Sequence, residues 1–278
     1  MNAPLLLSLS LISLSLIALL GGKLFQPFRR LVAIERVFGL EALLFGFRGG
    51  GNMASALIGG LVARGVPANA IRVVDPFEDA RQRLATTLGV QTLAAPDTAF
   101  GASNVIVLAV KPQQFKDAVG ALAPQLKNSL IISVAAGIRL QDMQRWLGTN
   151  RLVRAMPNTP ALAGMGMTGL AAAPGLSDDD RAIAKAVAEA VGQCVWVEGD
   201  DQIDAVTAIS GSGPAYVFYF VEAMERAAIE MGLSAEQGRK LAVETFRGAA
   251  ALAAESSEPV STLRERVTSK GGTTYAAL

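Results

Sequence analysis

The stretch Gly49-Gly50-Gly51-Asn52-Met53-Ala54 decides the fold of this chain. A short apolar run at residues 43–47 precedes it, and a segment with apolar residues at helical spacing follows it. A strand, a glycine turn and a helix in this order predict a dinucleotide-binding unit. Gly49 permits the tight turn, Gly51 lets the backbone approach a pyrophosphate, and Ala54 lets the helix pack closely on the strand. The alternative is a glycine-rich loop that holds no ligand.

Composition restricts the classes of protein to which the chain can belong. Its 278 residues suggest about two domains, and 51% hydrophobic residues are enough for a large core. The net charge of +1 gives no indication of nucleic-acid binding. Because the chain has no histidine, a histidine general base and a His-ligated metal site are excluded, and no metal is predicted. The single cysteine, Cys194, lies in an apolar run, which favours a buried structural thiol.

The first 40 residues form an N-terminal extension of a different character. Residues 2–22 carry no charge, are mostly Leu, Ile and Ser, and precede a basic cluster. They can be interpreted as a membrane anchor, as a signal peptide, or as a dispensable extension from a non-native start. The third interpretation is favoured, since the abundant serine makes a mediocre anchor. Any membrane association would involve only residues 1–22.

Residues 41–199 alternate between apolar strands and helices, which predicts an α/β fold with a Rossmann-like dinucleotide-binding domain. Continuous apolar runs are typical of strands in a buried parallel sheet. The strands are expected at residues 71–74, 105–110, 130–134, 152–154 and 194–197, and a helix is expected to run from the N-cap Ser177 to Val191.

Residues at the carboxyl ends of these strands are candidates for a cofactor site. Asp75 follows the second strand, where an acidic residue binds the ribose hydroxyls of NAD, whereas the nearby Arg81 and Arg83 would accommodate NADP. The stretches Ala109-Val110-Lys111-Pro112 and Ala135-Ala136-Gly137 follow the next two strands. Each candidate has a structural alternative, as a turn residue, a cap of a solvated edge or a tight turn.

Residues 200–278 predict an all-α domain with helices at residues 202–209, 215–231, 235–254 and 261–267. Their apolar faces favour a helical dimerisation domain. The final motif, Thr268-Ser269-Lys270-Gly271-Gly272-Thr273-Thr274, is dense in hydroxyl and backbone N–H groups. It is either a nest for a carboxylate or a flexible loop. Asn158, in a loop with two prolines, either faces a ligand or hydrogen-bonds its own turn.

Seven blocks of the sequence, from about residue 43 to the end, resemble the pyrroline-5-carboxylate reductase family, the last enzymes of proline synthesis. They are Gly50-Gly51-Asn52-Met53-Ala54, Ala109-Val110-Lys111-Pro112, Ala135-Ala136-Gly137, Met156-Pro157-Asn158-Thr159-Pro160, Asp204-Ala205-Val206-Thr207, Ser210-Gly211-Ser212-Gly213-Pro214-Ala215-Tyr216, and Val267-Thr268-Ser269 with Gly271-Gly272-Thr273-Thr274. The resemblance implies a cytoplasmic homo-oligomer that uses NADPH or NADH to reduce the cyclic imine 1-pyrroline-5-carboxylate to L-proline.

The resemblance also implies roles for individual residues. Gly49, Gly51, Asn52 and Met53 would hold the pyrophosphate. The stretches at residues 109–112 and 135–137 would line the nucleotide and the nicotinamide. The substrate would be bound by Ser269, Gly271, Gly272, Thr273 and Thr274. Thr274 would be the catalytic residue, by hydrogen-bonding the imine nitrogen and relaying a proton. This chemistry suits a chain without histidine, because the substrate nitrogen itself carries the proton.

The chain departs from the family pattern at several positions. Residues 1–40 have no counterpart, Arg48 stands where an apolar residue is usual, and Lys270 replaces a proline. The family continues for about one more helical hairpin beyond Thr274, which implies a truncated helical domain and weak or absent activity. Two other functions are weighed. One is a hydroxyacid dehydrogenase with Lys240 as its lysine, and the other is a membrane-tethered or decayed nucleotide-binding protein.

Overall fold

The structure, a computed structural model, describes residues 40–126 and 128–278. The N-terminal extension, including the anchor considered at residues 1–22, lies outside the described residues apart from Leu40. No helix within the described ranges combines the length and the apolar character that a membrane span requires.

An eight-stranded sheet with helices on both faces makes up the first part of the chain. The strands are β1 (Phe45–Arg48), β2 (Ile71–Val74), β3 (Gln91–Leu93), β4 (Val105–Leu108), β5 (Leu130–Ser133), β6 (Leu152–Met156), β7 (Gly166–Ala172) and β8 (Gly192–Trp196). The helices are α1 (Asn52–Ala63), α2 (Glu78–Leu88), α3 (Thr98–Gly101), α4 (Pro112–Leu122), α5 (Leu140–Leu147) and α6 (Asp178–Glu189).

The order of the strands creates the crevice that a dinucleotide fold uses. Across the sheet the order is β3-β2-β1-β4-β5-β6-β7-β8. Strands β1 to β6 are parallel, β7 runs antiparallel to β6, and β8 is parallel to β7. The chain changes direction across the sheet between β1 and β4, so their carboxyl ends flank a topological switch point. The predicted Rossmann-like fold is confirmed.

The strands are apolar throughout because both faces of the sheet are covered. In β4, Val105 and Val107 pack in a cluster that includes Leu57 and Ile58 of α1. Their neighbour Ile106 faces the opposite cluster, which contains residues of α4 and α5. Alternate side chains of one strand therefore stabilise two different layers, as the period of a strand requires.

Some expected elements are confirmed, and others were missed. Strand β2 and the start of α6 are as predicted, and the Ser177 hydroxyl accepts a hydrogen bond from the Asp180 N–H at 3.2 Å. Strands β3 and β7 were not predicted, because neither carries a run of β-branched or aromatic residues. Cys194 lies partly buried in β8, and burial raises the pKa of its thiol to about 11.

The closest approach of backbones at a glycine lies between β7 and β8. A Cβ placed on Gly192 would lie 2.0 Å from the Gly166 carbonyl oxygen. We therefore expect Gly192→Ala to lower the free energy of unfolding by about 3 kcal/mol, measured by urea denaturation. Gly120→Ala is the matched control, since a Cβ on Gly120 meets nothing within 4 Å. Equal stability of the two variants would contradict the observed strand contact.

The second part of the chain is helical. Its elements are α7 (Gly199–Val206), a π-helical turn (Thr207–Gly211), α8 (Gly213–Glu230), α9 (Ala235–Glu255), α10 (Val260–Arg266) and α11 (Thr273–Ala277). Helices α8 and α9 pack on each other. A capping box of Ser234 and Gln237 starts α9, which explains the sharp boundary after α8.

Helix α8 exposes large aromatic side chains to solvent on more than one side of the helix. Phe218, Tyr219 and Phe220 are 65%, 67% and 58% exposed. Large aromatic side chains exposed in this number are typical of a protein interface. The expectation of a helical dimerisation domain therefore has direct structural support in these side chains.

Candidate functional site

Gly49 brings the ends of β1 and β4 together. It has a φ of 107°, in the region that favours glycine. A Cβ at this position would lie 2.5 Å from the Ala109 carbonyl oxygen. The Gly49 N–H donates to the Val74 carbonyl at 2.8 Å, and the Ala109 N–H donates to the Arg48 carbonyl at 2.9 Å. The glycine turn is thus connected to the ends of both neighbouring strands.

Gly51 has a different environment from Gly49. It is the N-cap of α1, with φ −73° and ψ −174°, and a Cβ there would meet nothing within 4 Å. The position therefore faces open space at the start of a helix of twelve residues, where N–H groups lack intrahelical partners. Ala54 is fully buried one turn later, which lets α1 pack closely on the sheet.

A cleft of about 490 Å³ opens at the switch point. It is lined by Arg48, Gly49, Gly50, Gly51, Asp75, Pro76, Phe77, Ala80, Arg83, Ala109, Val110, Lys111, Gln114, Asp117 and Ala118. Seven of the predicted cofactor residues are therefore brought together: Gly49, Gly50, Gly51, Asp75, Ala109, Val110 and Lys111. Among the described residues the lining does not include the predicted Asn52, Met53, Ala54, Pro112, Ala135, Ala136 or Gly137.

These remaining predicted residues lie in adjoining segments. Residues 52–54 form the first turn of α1, directly after Gly51, and Pro112 is the first residue of α4, directly after Lys111. The turn at residues 135–137 follows β5, the neighbour of β4 in the sheet, and Gly137 has a φ of 74°.

The carboxylate of Asp75 is held by the backbone. Asp75 is a buried side chain, and its Oδ2 accepts from the Gly50 N–H at 2.7 Å. Its Oδ1 accepts from the Phe77 N–H at 2.8 Å. Each carboxylate oxygen has two lone pairs. Asp75 can therefore still accept hydrogen bonds from ribose hydroxyls after these two bonds are made. Asp75 therefore lies where a residue that binds the ribose is expected, and it also stabilises the glycine turn.

The two arginines considered for NADP also contact this turn. Arg83 donates from Nη2 to the Gly50 carbonyl at 2.9 Å and lines the cleft. Arg81 donates from Nη1 to the carbonyls of Asp75 and Pro76, each at 2.9 Å. Because a guanidinium has five N–H groups, Arg83 keeps donors for an anionic ligand in the cleft.

Arg48, unusual as a charge at the end of β1, is a lining residue of the cleft. Its Nη1 donates a long hydrogen bond to the Val74 carbonyl at 3.4 Å. Burial lowers the pKa of its guanidinium, and the charge of Asp75 partly offsets this effect. With Arg83 and Lys111, it gives the lining three cations against the carboxylates of Asp75 and Asp117. This excess of positive charge favours an anionic ligand.

Sequence reasoning missed some lining residues. Phe77 is 65% exposed and lines the cleft. The sequence feature that could have indicated this is an aromatic residue directly after Asp75-Pro76. Asn158, in contrast, is used by the fold, since its Nδ2 donates to the Ser210 carbonyl at 3.0 Å. Its Oδ1 accepts from the Met167 N–H at 2.9 Å. Asn158 therefore has a structural role, but it bonds β7 and the π-helical turn and not its own turn, as one of the alternatives had it.

The candidate substrate loop, residues 269–274, follows α10 and includes Thr273 and Thr274, the first two residues of α11. It is mostly exposed. Gly271 has a φ of 77°, and the Gly272 N–H donates to the Ser269 carbonyl at 2.9 Å. The lining of the cleft includes no described residue of the helical domain, so this loop is not part of the cleft of its own subunit. Lys240 is an exposed residue of α9 and likewise lies outside the lining. No cluster of metal-ligating side chains occurs among the residues that the structure describes.

Comparison with known proteins supports the assignment of a nucleotide-binding part and a helical dimerisation part. Residues 200–278 match the family model described as pyrroline-5-carboxylate reductase dimerisation, and residues 44–137 match that of the coenzyme F420-dependent NADP oxidoreductases. The pyrroline-5-carboxylate reductase of Pseudomonas aeruginosa is 46% identical over 234 residues, which are 84% of this chain and 86% of that protein.

Two solved structures extend this similarity to the fold. The pyrroline-5-carboxylate reductase of Coxiella burnetii superposes with a TM-score of 0.79 at 39% identity, covering 84% of this chain and 88% of that one. The pyrroline carboxylate reductase of Plasmodium falciparum, solved with NADP bound, gives 0.76 at 27% identity, covering 86% and 89%.

Proposed function

The chain belongs to the pyrroline-5-carboxylate reductase family, and we propose on this premise that it reduces 1-pyrroline-5-carboxylate to L-proline. The hydride donor is NADPH or NADH, and the reaction takes place in the cytoplasm, as the family resemblance implies. The observation that carries the proposal is the cleft at the switch point, where the glycine turn meets Ala109, Val110 and Lys111. A cleft in this place is where dinucleotides bind in doubly wound sheets.

The residues that are present fit a dinucleotide. Gly51 leaves open space where a side chain would otherwise project, and the start of α1 supplies N–H groups for the pyrophosphate. Asp75 and Arg83 line the part of the cleft next to β2 and α2. The adenosine ribose would be held there. When bound, the nicotinamide would supply the hydride.

We assign the substrate carboxylate to the loop at residues 269–274 of a partner subunit. Two observations support this assignment: the cleft has no lining residue from the described helical domain of its own subunit, and α8 exposes aromatic side chains that a second copy could bury. The hydroxyls of Ser269, Thr273 and Thr274 and the backbone of Gly271 and Gly272 would hold the carboxylate and the ring nitrogen. The Thr274 hydroxyl would hydrogen-bond that nitrogen and relay a proton to it.

The assay that tests the function is steady-state oxidation of NADPH and of NADH with 1-pyrroline-5-carboxylate, followed at 340 nm. We expect imine-dependent oxidation of at least one nucleotide and formation of proline in equal amount. Oxidation of neither nucleotide by the folded protein would refute the proposal.

The family similarity favours neither alternative function. A hydroxyacid dehydrogenase would need its lysine beside the nicotinamide, whereas Lys240 lines a separate groove on α9 together with Leu233, Gln237 and Leu241. An inactive nucleotide-binding module would bind NADPH in the same cleft but show no imine-dependent oxidation, so the same assay distinguishes it.

A further inference from the structure

A buried arginine joins the sheet to the first helix of the helical part through two carboxylates. Arg154, in β6, is 2% exposed and lies between two carboxylates of α7. Its Nη1 donates to Asp200 Oδ1 at 2.5 Å, and its Nη2 donates to Asp204 Oδ1 at 3.0 Å. A guanidinium holds two such partners in a fixed geometry, which a flexible ammonium would not reproduce. The arginine therefore sets where α7 lies on the sheet.

Asp200 has a second partner at the start of α5. Its two oxygens accept from the N–H of Leu140, the first residue of α5, at 3.1 and 3.2 Å. Helix α5 closely follows the turn at residues 135–137, which the proposed function assigns to the nicotinamide. A single carboxylate of α7 thus connects the start of α5, which follows this turn, with the buried Arg154.

The same junction continues toward the dimer helix α8. Asn158 donates to the Ser210 carbonyl inside the π-helical turn. A Cβ on Gly211 would lie 2.9 Å from Met156 Cε, and a Cβ on Gly169 would lie 2.7 Å from Val206. Side chains and backbones are therefore closely packed along α7 and the π-helical turn, which leads directly into α8. A π-helical turn is rare and frequently marks a functional site.

We propose that Arg154 is a positioning residue for imine reduction. By holding Asp200 and Asp204, it fixes the direction of α8 relative to the cofactor cleft and to the turn at residues 135–137. The direction of α8 in turn sets where the partner's substrate loop lies over the nicotinamide. Hydride transfer depends on this placement, because a displacement of about 1 Å costs on the order of 100-fold in rate. The inference rests on the proposed function and adds a residue that contacts neither substrate nor cofactor.

Arg154→Met tests the inference with the full-length dimer. We expect kcat for imine reduction to fall at least about ten-fold, while the Kd for NADPH, measured by fluorescence, and the dimer are retained. Arg151→Met is the matched control, since it removes the Arg151–Asp180 ion pair of 2.6 Å without touching α7. Wild-type kinetics in Arg154→Met, or an equal loss of kcat in Arg151→Met, would overturn the inference.

A milder pair of variants covers the case in which Arg154→Met does not fold. Asp204→Asn weakens one contact of Arg154 at a side chain that is 55% exposed, and Asp201→Asn changes a neighbour on α7 that is 93% exposed. Only Asp204→Asn should accelerate amide hydrogen exchange at residues 207–211, with residues 49–51 unchanged. Exchange identical to that of the wild type would overturn the inference whatever the activity. A wild-type chain without imine reduction would instead refute the proposed function.

Discussion

Gly51→Val is expected to raise the Kd for NADPH and NADH at least about 100-fold while leaving the protein folded. The reason is the contrast between two neighbouring glycines. A Cβ at Gly51 meets no protein atom within 4 Å, so the valine side chain would project into the space that we assign to the pyrophosphate. The free energy of unfolding should fall by only about 1 kcal/mol, the cost of a poor N-cap residue, because a Cβ there disturbs no contact of the folded chain. Titration of nucleotide fluorescence and urea denaturation measure the two effects.

Gly49→Ala is the matched control for this prediction. A Cβ at Gly49 would lie 2.5 Å from the Ala109 carbonyl oxygen, and its φ of 107° is unfavourable for alanine. We therefore expect Gly49→Ala to destabilise the fold by about 2 kcal/mol or more. If Gly51→Val bound NADPH and NADH as the wild type does, the pyrophosphate would have to lie elsewhere.

The second large effect is expected at the exposed face of α8. Phe218→Glu places a charge on a face that we assign to the dimer interface, and a two-fold interface contains each residue twice. A buried aromatic residue contributes about 2 kcal/mol or more at such a position, so the dimer Kd should rise roughly 1,000-fold. Sedimentation at micromolar concentration should show monomers, and imine reduction should fall at least about 100-fold.

Phe77→Glu provides a control of equal exposure. Both phenylalanines are 65% exposed, but Phe77 lies at the cofactor cleft rather than on the helical domain. Phe77→Glu should therefore leave the dimer intact, whereas Phe218→Glu should leave the Kd for NADPH nearly unchanged. A dimeric, active Phe218→Glu variant would show that α8 does not form the interface.

The parts of the fold that depend on local patterns were predictable from the sequence. The glycine turn, strand β2 and the Ser177 N-cap each follow from the chemistry of a few neighbouring residues. Strand β7 was not predictable in this way, because it is stabilised by antiparallel pairing with β6 and parallel pairing with β8. Its own residues, mostly Gly and Ala, have little strand preference.

In the candidate site, too, features that depend on local sequence were predictable, and contacts between distant residues were not. The pattern of glycines and the ends of β1 and β4 predict the cleft, since strand ends meet at one edge of a parallel sheet. The hydrogen bonds of Asp75 to the N–H groups of Gly50 and Phe77 were not predictable, because they depend on the path of the turn. The link between Arg154 and Asp200 spans 46 positions, and no local pattern indicates it.

Complementation between two inactive subunits is the most direct test of an active site that is shared between subunits. Gly51→Val removes cofactor binding from one subunit, and the double variant Thr273→Val, Thr274→Val removes the substrate loop from the other. A purified heterodimer would then contain one intact composite site of two, so we predict about half of the wild-type activity per dimer. A heterodimer as inactive as the two parental dimers would contradict a site built from the cleft of one subunit and the loop of its partner.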